Sequence, residues 1–119
     1  MKRLLLIDDD ESNRVILSIL LEEAGFEVAV AASLNEAATT LRSASVGWDA
    51  VLIDAILGDG QGSELVPLIR ERVPSAKIVA VSGGTVDEWS RVSIDASLPK
   101  GMHFPEFVSG LRAVLDLQS

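Results

Sequence analysis

No cysteine occurs among the 119 residues, so neither a disulfide framework nor a thiolate metal site is available, and a reducing, cytoplasmic setting is expected. Basic residues are few: 10 lysines and arginines face 18 acids, for a formal net charge of −8. Such a charge repels the phosphate backbone of DNA and removes the usual electrostatic basis of non-specific binding, so direct contact with nucleic acid is not expected. Long apolar runs are missing too. The amino-terminal MKRLLLIDDD starts basic but meets three aspartates after four apolar residues, far short of a signal-peptide core or a membrane span, and no membrane targeting is expected. What the chain does have is 48% hydrophobic residues with no linker, repeat or low-complexity segment, which fits one compact domain over residues 1–119.

Five short apolar runs recur: LLLI at 4–7, VAVAA at 28–32, AVLI at 50–53, IVAV at 78–81 and ASLP at 96–99. Each has the length of a buried strand and is too short for a core helix. Between them the spacing becomes helical. Val15, Ile16, Ile19 and Leu20 make one expected helix face; Leu34, Ala37, Ala38 and Leu41 make a second, and Leu65, Leu68, Ile69 and Val73 a third. The last helix carries Phe104, Phe107, Val108, Leu111, Val114, Leu115 and Gln118. Ser33 with Glu36, and Thr85 with Glu88, have capping-box spacing and are expected to open the second and fourth helices, while Gly25 is placed to end the first in a left-handed conformation. Strands alternating with helices imply a parallel, doubly wound α/β sandwich. In the strand order 2-1-3-4-5, strands 1 and 3 are neighbours at the switch point, and polar residues at their carboxyl ends share one crevice.

Those ends are chemically distinctive. Strand 1 runs into Asp8, Asp9 and Asp10, strand 3 ends in Asp54, strand 4 in Ser82 and strand 5 in Lys100. Two carboxylates about 4 Å apart repel by on the order of 4 kcal/mol at an effective dielectric of about 20, so the group needs a cation or must protonate. A hard divalent ion, Mg2+ or Mn2+, suits an all-oxygen set. A carboxylate can itself attack a phosphoryl group once its charge is offset, and Asp54 is the best placed to do so. The Ser82 hydroxyl, the Lys100 ammonium and backbone amides after Asp54 are candidates to surround the equatorial oxygens.

Over essentially its whole length the chain resembles a response-regulator receiver domain of two-component signalling. The matching pieces are LLLIDDDE, DAVLIDAILGDGQG, IVAVSGG and SLPKG, in that order and at suitable spacing. The resemblance implies a three-layer, flavodoxin-like fold with a five-stranded parallel sheet. It implies phosphorylation of Asp54, a metal held by Asp8, Asp9, Asp54 and the backbone carbonyl of Ile56, and contacts from Ser82 and Lys100 to the phosphoryl group. His103 is the sole histidine and is expected to face solvent, so a histidyl phosphate must come from a partner, either a sensor histidine kinase or a histidine phosphotransfer protein. Output is expected through contacts with a downstream protein, without enzymatic activity beyond slow loss of the phosphoryl group.

Four features depart from the family's pattern. Gly58 stands where a proline is usual, within the glycine-rich GDGQG, and a looser loop is expected there. Gly101 follows the lysine where a proline with a cis bond is usual; a cis bond before glycine costs about 2.5 to 4 kcal/mol, so a trans bond or a rebuilt loop is expected. Ser97 replaces the aromatic switch residue. Ser82 and Lys100 are 18 positions apart, about one helical turn fewer than expected of the family.

Other readings of the same residues remain. Asp10 and Glu11 are most simply helix-opening acids, favoured by the macrodipole. GDGQG lacks the GxGxxG spacing of a dinucleotide loop and follows strand 3 rather than strand 1. Trp48 is expected to cover the start of strand 3, and Trp89 to pack the short fourth helix on the sheet. A small phosphatase of the haloacid-dehalogenase type is the rival built on Asp8-x-Asp10, but it leaves Asp54 without a role. The other alternative is a pseudo-receiver, an interaction module that keeps the fold without phosphorylation.

Overall fold

The computed structural model describes residues 2–43, 47–82 and 94–115, with only the backbone of Ser82. The chain runs β1 (Arg3–Ile7), α1 (Glu11–Glu23), β2 (Glu27–Ala31), α2 (Leu34–Ser43), β3 (Ala50–Asp54), β4 (Ile56–Leu57), β5 (Gly60–Gln61), a single 3₁₀ turn (Gly62–Leu65), α3 (Val66–Arg72), β6 (Lys77–Ser82), β7 (Ala96–Pro99) and α4 (Phe104–Val114). The main sheet has the order β2-β1-β3-β6-β7, and every pairing in it is parallel. Because β6 and β7 are the fourth and fifth long strands, this is the expected 2-1-3-4-5 order. The expected fourth helix, with Thr85, Glu88 and Trp89, lies outside the described residues, as does Gln118.

Central strands in such a sheet are covered on both faces, which is why β1 and β3 read as continuous apolar runs rather than alternating ones. One face of the sheet carries Leu5, Ile7, Val51, Ile53 and Ile78 against Ala37 and Leu41 of α2 and Ile69 of α3. The other carries Leu4, Leu6, Leu52, Val79 and Leu98 against Leu21 of α1 and Phe107 and Leu111 of α4. Side chains alternate across a strand, so neighbouring residues feed opposite layers. The register sets Leu4 to Ile7 beside Ala50 to Ile53, and this brings the ends of β1 and β3 level.

Helix α1 corrects the reading of its sequence. The expected face of Val15, Ile16, Ile19 and Leu20 does not enter the core; Val15, Ile16 and Ile19 are 46%, 59% and 49% exposed. Leu21 is fully buried instead, with Leu17 and Ala24 packed beside it. The helix offers two apolar stripes, and 3.6-residue periodicity cannot choose between them. The expected stop at Gly25 and start at Ser33 are both present. Gly25 takes φ +103 after α1, and Ser33 accepts the Glu36 amide at 3.0 Å. Trp48 is buried just before β3, with the Arg3 guanidinium 5.8 Å over its ring. No helix among the described residues is long and apolar enough to cross a membrane.

Candidate functional site

At the end of β1 the chain turns sharply into α1, and Asp10 makes the turn. Its carboxylate accepts the amides of Ser12 and Asn13, so it is the N-cap of α1. A carboxylate spent in this way is poorly placed as the proton-carrying second acid of an Asp8-x-Asp10 pair, which weighs against the dehalogenase-type reading. Asp8 is only 2% exposed, and its carboxylate is braced on both oxygens. The Asp10 amide donates to Oδ1 at 2.9 Å, and the Asn13 side-chain amide donates to Oδ2. The Arg14 guanidinium donates to the Asp8 carbonyl at 2.8 Å.

Asp54 closes β3 and is 5% exposed. Lys100, in the turn after β7, donates from Nζ to Asp54 Oδ2 at 2.8 Å, and the Ile56 amide donates to Oδ1 at 3.4 Å. Burial raises the Asp54 pKa above its ordinary value; the hydrogen bond and charge of Lys100 only partly offset it, and the charge of Asp8 adds to the rise. Burial by itself would lower the Lys100 pKa, but the bond to Asp54 and the charges of Asp54, Asp8 and Asp9 outweigh it, so the ammonium is held more firmly than usual.

Asp8, Asp9 and Asp54 each offer a carboxylate oxygen, and the three oxygens lie within 4.8 Å of one another. The set is oxygen only, with Asp9 exposed and the other two buried, which fits a hard divalent cation reached from solvent. Of the other expected site residues, Ile56 follows in β4 with an exposed side chain, and Ser82 ends β6 opposite Pro99, its side chain outside the described residues. Ser97 is exposed on β7, so no aromatic ring stands at that position. Gly101 takes φ +78, and no peptide bond among the described residues is cis.

The glycine-rich loop is better tethered than expected. Gly58 has none of proline's stiffness, yet Ile56 pairs with Gln61 and Leu57 with Gly60 in a two-stranded ladder. Glu64 accepts the Gln61 amide at 2.9 Å, and the Asp59 carboxylate accepts the amides of Leu34 and Asn35 at 2.9 and 3.1 Å. Those two bonds hold the Asp59 pKa below its ordinary value. At the loop's end, a Cβ on Gly62 would stand 2.1 Å from the Asp54 carbonyl oxygen, so only glycine fits. Asn13, Arg14, Asp59 and Gly62 were not singled out from the sequence. Asn13 and Arg14 had a usable signal, since a turn of helix right after Asp8 folds back over it. Asp59 had none, because its partners lie 25 and 24 positions away.

A sequence profile of the response regulator receiver domain matches residues 4–111. This chain belongs to the response regulator receiver family. It is 33% identical over 82 residues to the photosynthetic apparatus regulatory protein RegA of Rhodobacter capsulatus, covering 69% of this chain and 44% of RegA. A CheY-like receiver from Methanospirillum hungatei superposes with a TM-score of 0.88 at 26% identity, over 98% of this chain and 94% of that one. The response regulator TrrA of Thermotoga maritima, solved in complex with Mg2+ and BeF, gives 0.81 at 25% identity, over 96% and 99%. The receiver spans about half the length, or less, of curated relatives such as RegA and the E. coli regulator CpxR.

Proposed function

We propose that this receiver domain takes a phosphoryl group onto Asp54, with Asp8, Asp9, Asp54 and the Ile56 carbonyl holding Mg2+ or Mn2+. The observation that carries the proposal is the Lys100 ammonium on Asp54 Oδ2 inside a cluster of three carboxylates. Lys100 orients the nucleophile and keeps one oxygen engaged, while among the described residues Oδ1 has only the longer bond from Ile56. Attack on a phosphohistidine forms the P–O bond of an acyl phosphate and breaks the P–N bond, with the imidazole leaving on the donor. When bound, the cation offsets the charge of the attacking carboxylate and of the phosphoryl oxygens. Lys100 and Ser82 are placed to donate to those oxygens. Gly58 lies beside Asp9, where an added Cβ would make ordinary contact with Asp9 Oδ2 at 3.7 Å.

The donor in this reading is a helical surface of a histidine kinase or histidine phosphotransfer protein. Its docking face is the apolar stripe of α1, Val15, Ile16 and Ile19, which the fold leaves in solvent. Beside it a groove of about 180 Å³ between α1 and α4 is lined by Ile16, Leu20, Pro99, Lys100 and Phe104, and so reaches Asp54's partner lysine. A cytoplasmic domain that passes the signal to a downstream protein, rather than turning over a substrate, completes the reading. Incubation with Mg2+ and acetyl phosphate, followed by intact-mass measurement, tests it. The expected result is base-labile uptake of one phosphoryl group, lost in Asp54→Asn and in Asp9→Asn; uptake that persists in Asp54→Asn would overturn it.

A further inference from the structure

The loop that follows the phosphoacceptor leaves the sheet at Asp54 and returns at Gly62. Its base is closed by the Gly62 amide, which donates to the Ala55 carbonyl at 2.9 Å, and by the fit of Gly62 over the Asp54 backbone. Its stem is a ladder of two residue pairs, Ile56 with Gln61 and Leu57 with Gly60. A two-stranded ribbon this short is marginal by itself, so the position of the tip needs another source. The tip residue Asp59 reaches out of the loop to the first turn of α2. Both its carboxylate oxygens are used there, Oδ1 by the Leu34 amide and Oδ2 by the Asn35 amide.

Helix α2 already has a local cap, since Ser33 accepts the Glu36 amide and Glu36 in turn accepts the Ala32 amide. Asp59 takes the two first-turn amides that this box leaves free, the donors a helix cannot satisfy internally. Its negative charge also meets the positive end of the α2 dipole. A second contact enforces the same approach: at Gly60, where φ is +150, a Cβ would stand 2.5 Å from Leu34 Cδ1 and 2.7 Å from Glu64 Oε2. The loop therefore presses on the first residue of α2 through glycine and bonds to it through aspartate.

We propose that Asp59 is a positioning residue for the phosphorylation loop, an inter-element cap that fixes Ile56 and Gly58 beside Asp9 and Asp54 in place of the covalent stiffness that proline would provide at position 58. The proposal rests on the reading of the acidic cluster as a metal and phosphoryl site. It couples that site to the N-terminus of α2, on the opposite side of the sheet from α1 and α4. Motion at α2, as when a partner grips its first turn, is then felt at the metal-binding loop.

The experiment uses the whole chain and two readouts: amide exchange without metal, and Mg2+ affinity from the chemical shifts of the Asp54 and Ile56 amides. Asp59→Ala is expected to speed exchange at Leu34, Asn35 and Leu57 to Gln61 and to weaken Mg2+ binding about fivefold, with Asp59→Asn between it and the wild type. Adding Gly58→Pro to Asp59→Ala is expected to restore Mg2+ affinity while Leu34 and Asn35 stay unprotected, a split that mere loss of a helix cap would not produce. Loop exchange and Mg2+ affinity within twofold of wild type in Asp59→Ala overturn the proposal. So does an affinity loss that Gly58→Pro fails to recover in a double variant of unchanged melting temperature. If the wild type itself binds no Mg2+, the metal-site reading fails, and faster loop exchange in Asp59→Ala still carries the clamp.

Discussion

Lys100 Nζ lies 2.8 Å from Asp54 Oδ2, an ion pair between residues 46 positions apart that joins the ends of β3 and β7 across the intervening β6. The Asp54 side chain is 6% exposed and that of Lys100 35%, so the carboxylate is the desolvated partner and the lysine reaches it from the rim. Burial of Asp54 is therefore the stronger influence, and its pKa is raised despite the lysine. A carboxylate whose burial disfavours its charged form gains from added positive charge nearby.

Lys100→Met removes the closest donor to the Asp54 carboxylate among the described residues. Phosphoryl uptake from acetyl phosphate is expected to slow by about a hundredfold, the usual loss for one electrostatic donor. Stopped-flow or mass-resolved kinetics at saturating Mg2+ measure this, and a rate within threefold of wild type would remove Lys100 from the chemistry.

Asp54→Asn is expected to stabilise the metal-free domain at neutral pH. In the folded state Asp54 holds its proton to higher pH than in the unfolded chain, so between the two pKa values the folded state binds more protons. Stability contributed by this group falls as pH rises from the unfolded value near 3.8 through the raised folded value. Urea midpoints of wild type and Asp54→Asn are expected to separate as pH rises through that window and to converge below it. Asp59 has the opposite sign: its lowered pKa means that its contribution is present above the unfolded value and is lost as pH falls through the folded one.

Gly62→Ala places a methyl 2.1 Å from the Asp54 carbonyl oxygen. Backbone must move, at a cost of about 3 kcal/mol, and the move displaces the acceptor itself. Chemical denaturation gives the loss; phosphoryl uptake is expected to fall more than stability accounts for. An unaltered uptake rate in a destabilised variant would show that the loop's base does not position Asp54.

Ile19→Ser adds polarity to an exposed stripe that lies outside the core clusters of the described residues. Transfer from a cognate phosphohistidine protein is expected to fall about tenfold, equivalent to ~1.4 kcal/mol at the docking face. Uptake from acetyl phosphate and the melting temperature serve as controls and are expected to stay unchanged. Equal loss with both donors would refute a docking role for α1.

Much of this protein was written locally. Apolar runs such as AVLI and IVAV set the strands, Gly25 and Ser33 set helix ends, and the alternation of the two periods left few topologies open. Once strands 1 and 3 are neighbours, Asp8, Asp9 and Asp54 must converge, because a parallel sheet brings all its carboxyl ends to one edge. That is why the acidic cluster and its lysine were legible without coordinates.

Contacts between distant segments were not legible. Periodicity offered two apolar stripes on α1, and packing against Phe26 and α4 chose Leu17 and Leu21, leaving Val15, Ile16 and Ile19 in solvent. GDGQG promised only looseness, since glycine frees the backbone and nothing nearby in sequence restrains it. Restraint came from the first turn of α2, where unpaired amides met Asp59 across some 25 residues, and from the Asp54 carbonyl, which admits only Gly62. Hydrogen-bond partners at such separations depend on where whole elements pack, and the strand-end chemistry that identifies the site carries no record of the clamp that holds its loop.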